Sequence, residues 1–459
     1  MKKAEMLATT TEHEEAIQFI RQKESNARTY ARTFDRMIAR GSLSRVWDVE
    51  GRGYIDLLAC AGALPLGHNH PEVMEKVRSF LSSGHILQGL DIATPAKLSF
   101  VEQLFQTLPA AFSEDARIQF CGPTGSDAVE AALKLFRIAT GRQGVIAFHG
   151  AYHGMTSGSL ALMGNLGPKA ALQGWTGQTH FFPYPCDSRC PFDVGGTAGE
   201  DLTLRYLDNV LGDPESGMSK PALLILEAVQ GEGGCIPASP RWLRGLREIT
   251  SRHDIPLVID EVQTGFARTG TMFAYEAAGI VPDAVVLSKA LGGGFPLAAL
   301  VYRKRYDKWL PGAHAGTFRG NQIGLVAGAA TMQILRDHDM PARAATVGAY
   351  LKGKLQELAA SVPCIGDVRG RGLMLGAEVV SMAGGGAKNA LDGELAQAIK
   401  RECFLQGVIV ETGGRHGAVM RFLPALTITR QEIDEAMQRV RAAIDICLER
   451  HESASLALA

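Results

Sequence analysis

A lysine, three acids, an aromatic and a serine stand just beyond successive apolar runs in the middle of the chain. The run Val285-Val-Leu leads into Ser288-Lys289-Ala-Leu-Gly292-Gly-Gly-Phe295-Pro296. A lysine between an apolar strand and a triple glycine is poised for partial burial, which lowers its pKa from about 10.4 and frees a nucleophilic amine. A lysine snorkelling to the surface would fit the same letters. Upstream, Leu257-Val-Ile-Asp260-Glu261-Val-Gln263-Thr-Gly265 ends a run in an acid, which is costly to bury unless it meets a cation or a donor. Before that comes Glu227-Ala-Val-Gln-Gly-Glu232-Gly-Gly, with two carboxylates near one loop. They could do acid–base work, pair with a distant arginine or simply be solvated. His149-Gly-Ala-Tyr152-His153-Gly154 offers an aromatic between glycines on which a planar ring could stack, and a histidine that is either a base or a loop hydrogen-bonder. In Cys121-Gly-Pro-Thr-Gly125-Ser126-Asp127, a glycine turn opens a helix with apolar Val129, Ala132, Leu133 and Phe136. Free N–H groups there suit a phosphate, unless Ser126 or Asp127 merely caps the helix. The turn is neither a Walker loop nor a GxGxxG.

Taken together, these features are a phosphate cradle, a stacking aromatic, a buried acid and a nucleophilic lysine. That set meets the needs of pyridoxal 5'-phosphate, whose aldehyde bonds a lysine, whose ring nitrogen needs a carboxylate and whose phosphate needs an anchor.

Elements must bring these residues together. The runs Arg117–Cys121, Val145–Phe148, Ala222–Glu227, Pro256–Asp260, Ala284–Ser288 and Ala298–Tyr302 alternate with helical patterns and are apolar on both faces. This predicts an α/β fold with a mostly parallel sheet covered by helices, and ligands bind beyond the carboxyl ends of such strands. Residues 16–45 read as helical and then irregular, and Trp47–Leu58 as a hairpin around Glu50-Gly51-Arg52-Gly53. After about residue 330 the texture changes. There is a long helical stretch near 322–360, a strand Met374–Val380, a flexible Gly384-Gly385-Gly386 loop and two further helices. The last helix opens with a capping box, Thr429 and Glu432, and carries an apolar stripe of Ile433, Ala436, Met437, Val440 and Ile444. The expected organisation is an N-terminal segment (1–75) joining a smaller C-terminal α/β domain (331–459), with a large cofactor domain (76–330) between them.

The chain resembles the class III pyridoxal-phosphate aminotransferases of fold type I over about residues 45–445, through Gly125-Ser126, Tyr152-His153-Gly154, Asp260-Glu261-Val262-Gln263-Thr264-Gly265 and Ser288-Lys289 in that order. The resemblance implies that Lys289 bonds the cofactor aldehyde, Asp260 pairs with the pyridine nitrogen and Gln263 bonds the phenolic oxygen. It further implies that Gly125 and Ser126 hold the phosphate and that Tyr152 stacks on the ring, with His153 beside it. Thr317, in His314-Ala-Gly-Thr317-Phe-Arg-Gly-Asn321, matches a threonine reaching the neighbouring subunit's phosphate, which implies a homodimer with shared sites. Arg421 matches the arginine that grips a substrate carboxylate, and Glu232 the acid that pairs with it. One departure is Glu227-Ala228, where many members have Glu-Pro. Within the family, Phe120–Lys134, Tyr152-His-Gly-Met155-Thr-Ser and Leu162-Met-Gly-Asn165 resemble the diaminobutyrate:2-oxoglutarate branch, which implies glutamate as amino donor and aspartate 4-semialdehyde as acceptor. Members acting on ornithine, acetylornithine, 4-aminobutyrate or lysine, and aminomutases or racemases, share the same cofactor set.

Composition narrows the classes further. The chain has 459 residues, 47 Lys+Arg against 48 Asp+Glu and 46% hydrophobic residues, enough for two or three packed units. It offers no basic stripe for nucleic acid. No segment approaches the ~20 apolar residues of a membrane helix. Eight scattered cysteines read as reduced thiols of a cytoplasmic protein. Cys186-x3-Cys190 lacks a second ligand pair, so no metal is expected. Glycine is in surplus, 52 residues, and clusters in the loops just described, as close backbone approach to a ligand requires.

Overall fold

The computed structural model describes residues 10–170, 172, 177–382 and 390–458, so the expected Gly384–Gly386 loop lies outside the described residues. At its centre is a seven-stranded sheet. Its strands run in the order Ala116–Cys121, Ala298–Arg303, Ala284–Leu287, Leu257–Asp260, Leu223–Leu226, Val145–Phe148 and Thr179–Phe182. All neighbours are parallel except Ala298–Arg303, which is antiparallel to both strands flanking it. The expected strands are all present.

Period-two alternation explains why these short runs become central strands. Ile146, Phe148, Leu224, Leu226, Leu257, Ile259, Val285 and Leu287 enter the core on one face of the sheet. Val145, Ala147, Leu223, Ile225, Val258, Ala284 and Val286 enter the core on the other. There they meet Ala128, Ala132, Leu135 and Phe136 of the helix Gly125–Thr140. Each large aliphatic side chain so buried contributes about 1.5–3 kcal/mol, which neither face could supply without a covering layer. Thr179–Phe182 was not anticipated. Its Thr179 and His180 make it half polar, as an edge strand can be.

Two other sheets flank this one. Ile38–Ser42, Arg45–Asp48 and Gly53–Asp56 form an antiparallel meander, the last two being the expected hairpin. Ile38–Ser42 corrects the expectation of irregular chain up to residue 45; its hydrogen bonds go to the hairpin although its side chains stay largely exposed. Val408–Ile409 adds in parallel beside Ile55 and Asp56, so the N-terminal segment shares a sheet with residues from the C-terminal part. The long helical stretch is two helices, Gln322–Asp337 and Met340–Ser361. Asp339 breaks it with a φ of +44°, and its side chain caps the second helix by accepting from the Ala342 N–H. Ile365–Arg371, Met374–Val379, Val419–Phe422 and Glu411–Gly413 form the third sheet, the first strand being hidden in the sequence by Asp367, Arg369 and Arg371. In the last helix the expected capping box is present. The Thr429 N–H donates to Glu432 Oε2 (3.0 Å) and the Glu432 N–H to Thr429 Oγ1 (3.2 Å). No described helix is long and apolar enough to cross a membrane.

Candidate active site

Lys289 stands one residue, Ser288, beyond the central strand Ala284–Leu287 and sits with a φ of +48°, a conformation that non-glycine residues adopt where the surroundings impose it. The glycines behind it allow a close approach. At Gly293 (φ +58°) a Cβ would stand 2.4 Å from Thr331 Oγ1 and 2.7 Å from the Ala327 carbonyl oxygen, so only glycine lets this turn lie on the helix Gln322–Asp337. Burial pushes the Lys289 ammonium below its ordinary value and the Arg421 charge adds to that, while Glu232, Asp260 and Glu227 pull the other way. The net effect favours the neutral, nucleophilic amine.

Asp260 ends the neighbouring strand and is buried. Its Oδ1 accepts from the Val262 N–H (3.0 Å), and its Oδ2 lies 2.7 Å from His153 Nδ1. His153 is buried as well. Burial opposes its charge, but the bond to Asp260 outweighs this and its pKa is raised. The histidine therefore holds the acid in place. Its Nε2 is buried without a hydrogen-bond partner.

Gln263 leaves the same strand end. Its Nε2 donates to the Ala61 carbonyl (3.0 Å), within the left-handed run Ala59-Cys60-Ala61, and its Oε1 is buried with no partner. Ser126 Oγ accepts from the Met155 N–H (3.1 Å). Here Gly154 is required, because at its φ of +119° a Cβ would lie 2.1 Å from that oxygen. The helix cap is Thr124, which accepts from the Asp127 N–H, and not Ser126 or Asp127. Asp127 instead takes the Gly122 N–H and faces His314 Nε2 at 3.1 Å. Gly125 opens the helix, and Tyr152 stands exposed in the adjoining loop.

On the other side, Arg421 lies in the strand Val419–Phe422, 1% exposed. Glu232 meets it with both oxygens, Nη1 to Oε1 at 2.7 Å and Nη2 to Oε2 at 3.0 Å, and Arg421 Nε remains buried and unpartnered. Burial works against the guanidinium charge, yet the Glu232 carboxylate more than restores it and the pKa is raised. Lys289, Asp260, His153, Gln263, Glu232 and Arg421 are thus brought into one neighbourhood. Thr317 is not part of it within this chain; it is exposed in its loop. Cys186 Sγ faces Ser188 Oγ at 3.7 Å in a separate loop.

Two residues belong here that the sequence did not single out for the roles they have. Tyr30, in the polar stretch Asn26-Ala-Arg-Thr-Tyr30, is exposed as a residue, yet its hydroxyl is pushed up to about 12 by desolvation and by the Glu232 charge. No letter near it signals this. Glu227 is neither solvated nor paired with an arginine. It is 6% exposed, and burial raises its pKa to about 7.

The donor set fits pyridoxal phosphate. Gln263 Oε1 is a buried acceptor without a donor, as a phenolic hydroxyl would supply. Asp260 is a buried carboxylate already oriented by His153, and Ser126 stands at a helix start beside a turn that tolerates no Cβ.

Comparison with known proteins agrees. Residues 26–444 match the family model for aminotransferase class-III. A diaminobutyrate--2-oxoglutarate aminotransferase of Rhizobium meliloti is 51% identical over 428 residues, 92% of this chain and 91% of that protein. One from Haemophilus influenzae is 47% identical over 426 residues, 92% and 93% of the two chains. Among solved structures, a PLP-bound amine transaminase from an uncultivated Pseudomonas species superposes with a TM-score of 0.82 at 29% identity, covering 93% of this chain and 98% of that one. The ornithine aminotransferase of Toxoplasma gondii gives 0.80 at 25% identity, covering 98% of each. The α/β fold is that of the fold type I PLP enzymes. The chain belongs to the class III aminotransferases, the pyridoxal-phosphate-dependent transaminases whose family model it matches along nearly its whole length.

Proposed function

We propose that this enzyme moves the amino group of glutamate to aspartate 4-semialdehyde, giving 2-oxoglutarate and 2,4-diaminobutyrate in two half-reactions that alternate at one site. The observation that carries the reading is the Arg421–Glu232 pair, a buried guanidinium covered by an acid whose side chain is itself 35% exposed. Glutamate and 2-oxoglutarate carry a carboxylate at the reacting carbon, whereas diaminobutyrate reacts at a carbon that has none. A carboxylate-binding arginine serves the first pair, and the same arginine must be neutralised for the second. Glu232 can do both by swinging off Arg421 and back. The names of the relatives at 51% and 47% identity support the same substrates.

In this reading Lys289 holds the cofactor through its amine, Asp260 faces the pyridine nitrogen, Gln263 the phenolic oxygen, Gly125 and Ser126 the phosphate, and Tyr152 the ring face. His153 acts through Asp260. When bound, pyridoxal phosphate supplies an electron sink for the pair left on the substrate carbon. Lys289, whose amine burial keeps toward the neutral form, would take the proton from that carbon and deliver it to the cofactor carbon that had carried the aldehyde, reversing the transfer in the second half-reaction. Asp260, held in orientation by His153 and the Val262 N–H, would face the ring nitrogen.

A homodimer completes the site, with Thr317 reaching the partner's phosphate. Exposed Ile86, Leu87, Leu90 and Ile92 support it, since this segment is tied to the Thr317 loop by an Asp91–Arg319 ion pair and shares its surface with exposed Phe318. The N-terminal segment 1–75 is assigned to the C-terminal domain 331–459, a division supported by the parallel pairing of Ile55 with Val408. A reducing cytoplasmic setting suits eight cysteines that are all free thiols. The test is a spectrophotometric half-reaction panel. Glutamate and 2,4-diaminobutyrate should each convert the cofactor absorbance, and preference for ornithine, 4-aminobutyrate or lysine over diaminobutyrate would overturn the substrate assignment.

A further inference from the structure

Glu227 is buried, belongs to no ion pair, and has no part in the chemistry above. Its carboxylate joins two loops that come from different strand ends. Oε1 accepts the Tyr152 N–H at 3.0 Å, and Oε2 accepts the Gly231 N–H at 2.8 Å. Tyr152 is the ring-facing aromatic, and Gly231 immediately precedes Glu232, the acid on Arg421. The backbone at Glu227 is itself anchored, because Tyr184 donates its hydroxyl to the carbonyls of Glu227 (2.9 Å) and Ala228 (3.2 Å). Beyond it, Gln230 Nε2 donates to the His149 carbonyl (2.9 Å), a second tie between the same two loops. Burying a carboxylate is costly; two backbone donors and attraction to His153 reduce the cost without cancelling it, and burial still raises the pKa to about 7.

We propose that Glu227 is a positioning residue that clamps the Tyr152 loop to the Glu232 loop, so that the stacking face and the backbone carrying Glu232 keep one fixed relation through both half-reactions while the Glu232 side chain swings on and off Arg421. This rests on the proposed roles of Tyr152 and Glu232. Two acceptor oxygens at one side-chain end are what the clamp needs. A glutamine offers one and turns an NH2 toward the other N–H, and an alanine offers none.

The experiment is hydrogen exchange with mass spectrometry on the holoenzyme and its E227Q and E227A forms, alongside the two half-reactions. In E227A, peptides covering 149–155 and 228–235 should exchange about tenfold faster or more, with E227Q intermediate and the rest of the sheet unchanged. Turnover with glutamate and with diaminobutyrate should fall by the same factor, and E227Q should recover part of it. Unchanged exchange in both peptides, loosening throughout the sheet, or unequal loss in the two half-reactions would each overturn the clamp. If the unmodified enzyme uses other substrates, the substrate assignment fails, while the exchange data still decide the clamp.

Discussion

Replacing Glu232 with alanine removes the carboxylate that takes both terminal nitrogens of Arg421. Breaking a buried ion pair on one side costs about 3–5 kcal/mol when the remaining charge is sealed from water. The Glu232 side chain is 35% exposed, so water follows the deleted carboxylate, and about 2 kcal/mol is the better figure. If Arg421 binds the substrate carboxylate as proposed, an incoming 2-oxoglutarate must displace Glu232 in the intact enzyme and overcome that stabilisation. In the variant it meets a guanidinium with no competitor, so 2-oxoglutarate should bind up to about 30-fold more tightly. Diaminobutyrate, which reacts at a carbon without a carboxylate, then faces a bare buried charge and should react about 30-fold more slowly. The ratio of the two specificities should therefore shift by up to about 10³-fold, with glutamate turnover maintained or improved. Stopped-flow absorbance on each half-reaction separately reads this directly. If both half-reactions change by the same factor, the pair is only a structural ion pair and the switching argument fails.

Lys289→Ala should abolish the visible absorbance of the lysine-linked cofactor and both half-reactions; persistence of the band and of turnover would mean that another amine holds the group. Mixed dimers of Lys289→Ala and Thr317→Ala subunits should contain one site with both wild-type residues and one lacking both, giving about half the wild-type activity per hybrid by the shared-site geometry; activity that tracks each subunit alone contradicts sharing. Glu261 supplies a pH test: it is fully buried, its carboxylate accepts from the Tyr275 N–H (3.1 Å) and the Thr264 hydroxyl, and burial raises its pKa from 4.5 to about 7. The folded protein then holds the proton more tightly than the unfolded chain, so this contribution is full below pH 4.5 and is lost as the pH rises through 7, about 3 kcal/mol in all. Glu261→Gln does not titrate and should gain stability relative to wild type between pH 5 and pH 8 in denaturant titrations; a constant difference at the two pH values would refute the assignment.

The residues readable in the sequence are those whose chemistry is forced by their place at a strand end. Asp260 and Lys289 stand against runs buried on both faces, so an acid or amine there must find partners, and the letters alone carry that constraint. Arg421 and Glu232 are 189 residues apart, and as a pair they were available only through resemblance to a family. Tyr30 was unreadable because nothing local distinguishes a tyrosine whose hydroxyl feels the Glu232 charge from one in a polar linker. The fold divides in the same way. Strands with every residue buried announced themselves, whereas Ile38–Ser42, Thr179–Phe182 and Ile365–Arg371 are held by backbone pairing that their mixed side chains do not report.

Glu227 shows the physical reason most sharply. An acid after an apolar run can be solvated, paired or clamped, and the sequence leaves all three open. What decides between them is a backbone N–H that arrives from Tyr152, 75 residues away, together with one from Gly231 at the turn. Backbone donors have no letter of their own. A site whose acids are satisfied by side chains can therefore be anticipated from composition and spacing, and one whose acids are satisfied by main-chain N–H groups becomes visible only when the loops are in place. The glycine clusters are the indirect trace of the second kind. Gly154 and Gly293 stand where backbone or a hydroxyl comes too close for any Cβ, and they lie beside the same Tyr152 and Lys289 to which the proposed chemistry is assigned.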